Sequence, residues 1–138
     1  MSLDSSTAFE SLNHAIKRGD TLHIAHYLES GGDAGRADSS GTTLLMLAAQ
    51  EGQTPMIDLL LQRGAEINAQ SVHGYTAVSL AAFRGHTRVV ERLLERGARV
   101  PQEAAGMPLI GLLRSYGAAR DHVIDVLQRA ATLPSNEA

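Results

Sequence analysis

Residues 43–52 read TLLMLAAQEG, and residues 76–85 read TAVSLAAFRG. Laid over each other, they put Thr43 on Thr76, Leu47 on Leu80, Ala48 and Ala49 on Ala81 and Ala82, and Gly52 on Gly85, always 33 residues apart. The same offset carries Gly41 to Gly74, Ile57 to Val90, Leu60 and Leu61 to Leu93 and Leu94, and the RGA at 63–65 to the RGA at 96–98. Backward, it takes Gly52 to Gly19, Ile57 to Ile24, Leu61 to Leu28 and Gly64 to Gly31; forward, Val90 to Val123 and Leu94 to Leu127. A fixed period of this kind marks a stack of small units, none of which can bury its apolar face alone.

Each unit predicts a helix, a turn, a second helix and an extended loop. Thr43 is placed to cap the first helix, its hydroxyl accepting from N–H groups of the first turn. Ala48 and Ala49 are small where a neighbouring helix must come close, and Gly52 ends the helix. Thr54, like Thr21 and Thr87, is expected to cap the second helix, with Pro55 at its first position, where a missing N–H costs nothing. Ile57, Leu60 and Leu61 recur at helical spacing, Gly64 closes the segment, and residues 67–74 form a turn in which Gly74 takes an unusual backbone angle.

These residues resemble the ankyrin repeat, whose pattern runs roughly G-x-T-P-L-H-x-A-A-x-x-G-H and then V-x-x-L-L-x-x-G-A-x-x-N. Gly41, Thr43, Leu45, Leu47–Ala49, Gly52, Leu60, Leu61, Gly64, Ala65 and Asn68 match it in one copy. Gly74, Thr76, Leu80–Ala82, Gly85, His86, Val90, Leu93, Leu94, Gly97 and Ala98 match it in the next. The pattern's proline is Leu44 and Ala77 here, and its histidine is Met46 and Ser79, so the hydrogen bond that the family draws from that histidine is expected to be missing. The resemblance implies an all-α solenoid of about four repeats with hairpin loops, at about 5–37, 38–70, 71–103 and 104–131, with 132–138 as a tail. The outer copies read as caps. Residues 10–13, ESLN, have lost the signature, and Pro108 reads as a helix start two residues ahead of the register. The second helix of the last copy is expected over 121–130. A single small domain of this sort is similar to stand-alone bacterial members of the family.

The totals narrow the function classes. The 138 residues carry a formal net charge of −3, the wrong sign for a general nucleic-acid binder. There is no cysteine, which excludes a disulfide scaffold and any thiolate ligand or nucleophile. Residues 1–9 show no secretory signal, and no apolar run approaches a membrane span, so a cytoplasmic chain without nucleic-acid or membrane partners is expected. Six histidines raise a metal or small-molecule reading. His23 and His26 lie three apart on one helix, but Asp20, the one acid beside them, is better explained as a helix cap. His86 stands at the family's G-H position, where the resemblance implies packing and hydrogen bonding to a neighbouring loop. His14 and His122 have no distinctive context. No serine sits in a nucleophile elbow, and no glycine-rich phosphate loop follows a strand. No catalytic residue, cofactor or metal is assigned.

What the resemblance implies is protein recognition through the concave face, as adaptor, inhibitor or assembly factor, by a chain expected to be a monomer. In such a stack the loop tip, the residue after the turn glycine and the two residues before the mid-repeat glycine are not needed for core packing. They are Ser39, Ser40, Thr42, Gln50 and Glu51 in one copy, and Val72, His73, Tyr75, Phe83 and Arg84 in the next. The first cap adds Phe9, Lys17 and Arg18, and the last adds Tyr116. Of the five Phe and Tyr residues, only Tyr27 maps to a core position, that of Leu60 and Leu93. Interface hot spots are enriched in aromatics and arginine, which makes Tyr75, Phe83 and Arg84 the leading contact candidates.

Overall fold

The structure, a computed structural model, describes residues 5–115 and 120–132. Eight helices are described, in four pairs: α1 (Ser5–Arg18) with α2 (Thr21–Glu29), α3 (Leu44–Gln50) with α4 (Thr54–Gln62), α5 (Ala77–Arg84) with α6 (Thr87–Glu95), and α7 (Leu109–Ser115) with α8 (Asp121–Thr132). The odd-numbered helices pack against one another in one row and the even-numbered helices in a second, and each pair bridges the rows. This is the all-α repeat solenoid that the 33-residue period implies. Residues 133–138 of the expected tail lie outside the described residues; α8 itself runs through Thr132.

The core follows the two rows. Ala48, Ala49, Ala81 and Ala82 have essentially no exposed surface, and short side chains there let α3 and α5 approach closely. The even row is filled by Met56, Ile57 and Leu60 from α4, by Val89, Val90 and Leu93 from α6, and by Val123, Ile124 and Leu127 from α8. Phe9, Leu12, Ala15 and Ile16 of α1 close one end.

Capping decides where the helices begin. Thr43 accepts from Met46 N at 3.2 Å, as expected. Thr76 does more: it accepts from Ser79 N at 3.1 Å, while Ser79 Oγ accepts from Thr76 N at 2.8 Å. The family's histidine bond is missing in both copies, and at Ser79 this reciprocal box stands in for it. The second helices differ from expectation by one residue. Thr54, Thr21 and Thr87 are their first helical residues rather than their caps, and the preceding Gln53, Asp20 and His86 hold the cap position. Of these, Asp20 caps with its side chain, accepting from His23 N at 3.1 Å.

The last repeat departs from the period, in two opposite steps. Helix α7 starts at Leu109, and its buried Leu109 and Leu113 stand where Ala77 and Ala81 stand, at an offset of 32 (77 to 109, 81 to 113). Pro108 is therefore not the helix start; it occupies the place of the capping Thr76, at the end of a short strand. Helix α8 is displaced the other way. Its buried Val123, Ile124 and Leu127 repeat Val89, Val90 and Leu93 at an offset of 34 (90 to 124, 93 to 127). The expected pairs, Val90 with Val123 and Leu94 with Leu127, are one residue off. The compensating residues fall between α7 and α8, where 116–119 lie outside the described residues.

The loops project as hairpin fingers. In the last of them β1 (Glu103–Ala104) pairs antiparallel with β2 (Met107–Pro108), Ala104 opposite Met107. Ala105 and Gly106 make the two-residue turn with φ of 53° and 75°. Positive φ at both central residues matches the twist of a tight hairpin, and Ala105 takes it against its Cβ. Among the described residues, no helix is long and apolar enough to cross a membrane.

Candidate partner-binding surface

The fingers are tied to themselves and to each other by backbone groups. Asp38 Oδ1 accepts from Ser40 N at 2.8 Å and Thr42 N at 3.0 Å, which shapes the first tip and leaves Ser39 and Ser40 exposed. Ser40 O accepts from Val72 N at 2.8 Å, so the second finger hangs from the first. Tyr75 is held on both its backbone groups: Tyr75 N donates to Ser71 Oγ at 3.2 Å, and Tyr75 O accepts from Ser71 N at 2.9 Å.

That anchoring aims the Tyr75 ring at Phe83, which comes from the last turn of α5. The two rings meet edge to face, centroids 5.9 Å apart and planes at 80°. Arg84 lies exposed beside Phe83 in sequence, and Val72 and His73 are exposed at the fingertip, Val72 with 71% of its surface free. Thr42, Gln50 and Glu51 occupy the same places one repeat earlier and are half-buried. Lys17 and Arg18 are exposed at the end of α1, and Arg18 reaches Asp20 at 3.6 Å.

Two aromatic assignments change. Phe9 does not line a free face: it is 6% exposed and belongs to the core. Tyr75 and Phe83 are half-buried and pack against the core as well as on each other, so they are not independent of folding. Tyr27 is also half-buried, with its hydroxyl donating to Asp33 O at 3.0 Å. Tyr116 lies outside the described residues. A further apolar side chain was not legible from the 33-residue period. Met107 follows its turn glycine as Tyr75 follows Gly74, and it is 49% exposed. The strict period points to Pro108 instead; only the 32-residue offset of α7 identifies Met107.

The turn between the paired helices repeats a second device. Gly52 has φ +72°, and a Cβ there would stand 3.0 Å from the His86 ring. His86 Nε2 in turn lies 3.0 Å from Gln50 O. Arg120 repeats this contact in the last repeat, lying against Gly85 and donating from Nε to Phe83 O at 2.8 Å. Each such side chain satisfies a carbonyl at the end of the previous first helix and locks adjacent repeats together.

A family model for ankyrin repeats, in three copies, matches residues 12–104. The chain belongs to the ankyrin-repeat family. The match covers more than half of the sequence and ends at Ala104. No curated protein matches the chain. Ankyrin repeats are in general protein–protein interaction modules and typically non-enzymatic.

On the outer side of this ankyrin stack, Arg92 of α6 grips Asp58 of α4 with two bonds, Nε–Oδ1 at 2.9 Å and Nη2–Oδ2 at 2.8 Å. Arg96 adds a contact to Asp58 Oδ1 at 3.3 Å. The Arg92 hydrogen bond, aided by the nearby charges of Arg92 and Arg96, holds the Asp58 carboxyl below the ordinary carboxylate range despite partial burial. A carboxyl depressed on folding stabilises fully above its unfolded value of about 3.9 and loses that contribution as pH falls through the folded value. Asp58→Asn is therefore expected to cost about 1 kcal/mol at pH 7. The gap between variant and parent should close as the pH is lowered below about 4, as read from urea midpoints across a pH series. A gap that stays constant down to acid pH would mean the pair contributes nothing through charge.

His23 and His26 are exposed on α2. Among the described residues, no three or more His, Asp or Glu side chains come together as a metal could require.

Proposed function

We propose that this ankyrin domain binds a protein partner on its concave side, with Tyr75, Phe83 and Arg84 at the centre of the contact. Val72 and His73 extend it at the fingertip, and Ser39, Ser40, Thr42, Gln50 and Glu51 form its polar flank. The observation that carries the proposal is the edge-to-face Tyr75–Phe83 pair. It presents two rings held by backbone bonds and a helix end, part of their surface left in solvent, next to an exposed guanidinium. Rigid aromatics lose little entropy on binding, and aromatic and arginine side chains dominate interface energetics. Met107 adds a flexible apolar contact on the next finger. The role as adaptor, inhibitor or assembly factor follows from what the partner does, and a monomeric, cytoplasmic chain without nucleic-acid partners remains part of the proposal. Its net charge of −3 is consistent with that.

Tyr75→Ala and Phe83→Ala are each expected to weaken binding by about 1 kcal/mol or more, with at least one reaching about 2. Because both rings also touch the core, each should lower stability by about 1 kcal/mol or somewhat more. Affinity must then be measured well below the melting range. The test is a titration against the protein recovered by affinity capture, with the exposed outer residue Gln62→Ala as control. Arg92 is unsuitable as a control, since its bond to Asp58 ties α6 to α4. Unchanged affinity in both aromatic variants would move the contact off this face.

A further inference from the structure

The outer face offers a site that the repeat comparison itself defines. Between α4 and α6, Asp58 is gripped by Arg92 and Arg96, and that groove is bridged by charge. The next groove, between α6 and α8, has a volume of about 690 Å³. The acid of the bridge is retained there: Glu91 repeats Asp58 at the usual offset of 33. Its two cations are not. In the offset of 34 that burial establishes for α8, Val126 stands in the place of Arg92 and Ala130 in the place of Arg96. Glu91 is exposed and has no ion-pair partner among the described residues. Leu94, Val126 and Ala130 supply an apolar lining. The remaining carboxylates are held elsewhere, Glu95 by Arg92 at 3.6 Å and Asp125 by Arg129 at 3.0 Å on its own helix. With Glu95 and Asp125 so engaged, Glu91 is the carboxylate of the lining without an ion pair among the described residues, and His122 stands at the groove's edge.

We infer that this outer groove docks an arginine-bearing segment of a protein partner. The incoming guanidinium meets Glu91 as Arg92 meets Asp58, and its aliphatic stem lies along Leu94, Val126 and Ala130. Arginine fits better than lysine because the neighbouring groove uses the planar fork, two parallel N–H bonds to one carboxylate. The long stem covers apolar surface while the head stays at the rim. The site lies on the even-numbered helices, apart from Tyr75 and Phe83, and does not depend on the concave contact.

The test uses the full chain, labelled with nitrogen-15, and two synthetic peptides, acetyl-Leu-Arg-Leu-amide and the same peptide with citrulline for arginine. Citrulline keeps the shape and removes the charge. The arginine peptide is expected to shift the amide resonances of Glu91, Leu94, Val126 and Ala130. The citrulline peptide should bind about tenfold more weakly or worse, and Glu91→Gln should bring the arginine peptide to the same level. The double variant Val126→Arg/Ala130→Arg supplies the missing cations within the chain. It should melt higher than the parent and lose the response to the peptide. Equal responses to the two peptides, shifts confined to another face, or a full response in the arginine-filled variant would each overturn the proposal. If the double variant does not fold, the exposed Glu91→Gln exchange decides alone: unchanged binding of the arginine peptide rejects the site.

Discussion

Leu93→Ala is expected to cost about 2 to 5 kcal/mol of folding free energy. Leu93 has no exposed surface and sits mid-row on α6, between Leu60 of α4 and Leu127 of α8, its counterparts in the adjoining repeats. Removing its branched end leaves a cavity walled by helices on both sides. Neither wall can close in without also shifting the inner row. The loss should thus fall toward the upper part of the range rather than relax away. Urea unfolding read by circular dichroism is the measurement, with the midpoint expected to fall and the slope to stay the same. Leu22→Ala is the natural comparison: Leu22 is 83% exposed and should move stability by less than about 0.5 kcal/mol. Equal midpoints for Leu93→Ala and the parent would mean that α6 does not present this face to its neighbours.

Ala81→Leu is the opposite experiment in the inner row, with an expected cost of about 1 to 3 kcal/mol from overpacking. Ala81 is fully buried on α5, the helix packed between α3 and α7. Ala48 holds the same place on α3, so the added side chain has no slack opposite it. The helices must separate, and that stretches the 3.0 Å hydrogen-bond contact between His86 Nε2 and Gln50 O, which joins the two repeats. The substitution should also blunt the Tyr75–Phe83 pair, since Phe83 lies two residues further along α5. Thermal melting together with the near-ultraviolet tyrosine signal would read both effects. An unchanged melting temperature would show that the inner row has room for three more carbons, and the close-packed alanine seam would be wrong.

Most of the regular repeat was legible because its signals are local. Threonine caps, paired alanines and positive-φ glycines act within one turn of chain, and the 33-residue period multiplies them. Even so, the second-helix threonines came out one position from expectation. A threonine at the first helical residue and one at the cap give nearly the same sequence signal, and only the backbone bonds separate them. Ser79 shows a similar limit. Its departure from the family histidine announces the lost bond, but not the reciprocal cap that its hydroxyl closes with Thr76.

The aromatic side chains divide along the same line. The ankyrin resemblance, laid on the 33-residue register, implied that Tyr75 and Phe83 stand outside the seam; they do meet each other, but how far each is buried depends on the neighbouring finger and helix. Phe9 holds the register position of Thr42 and Tyr75 yet is almost fully buried, a difference the period does not carry.

The sequence by itself determined the helix-pair solenoid, the buried Leu, Val and Ala rows and the absence of cysteine chemistry, since these rest on short-range pattern and composition. Tertiary structure alone decided the spacing of the last repeat. An offset of 32 in α7 followed by one of 34 in α8 cannot be read from a chain whose Val123 and Ile124, or Leu112 and Leu113, offer apolar residues in either register. Packing against α5 and α6 selects one register, by burying Leu109, Leu113, Ile124 and Leu127. That choice puts Met107 beside Tyr75 in the series of fingers and sets Val126 and Ala130, rather than two arginines, against Glu91.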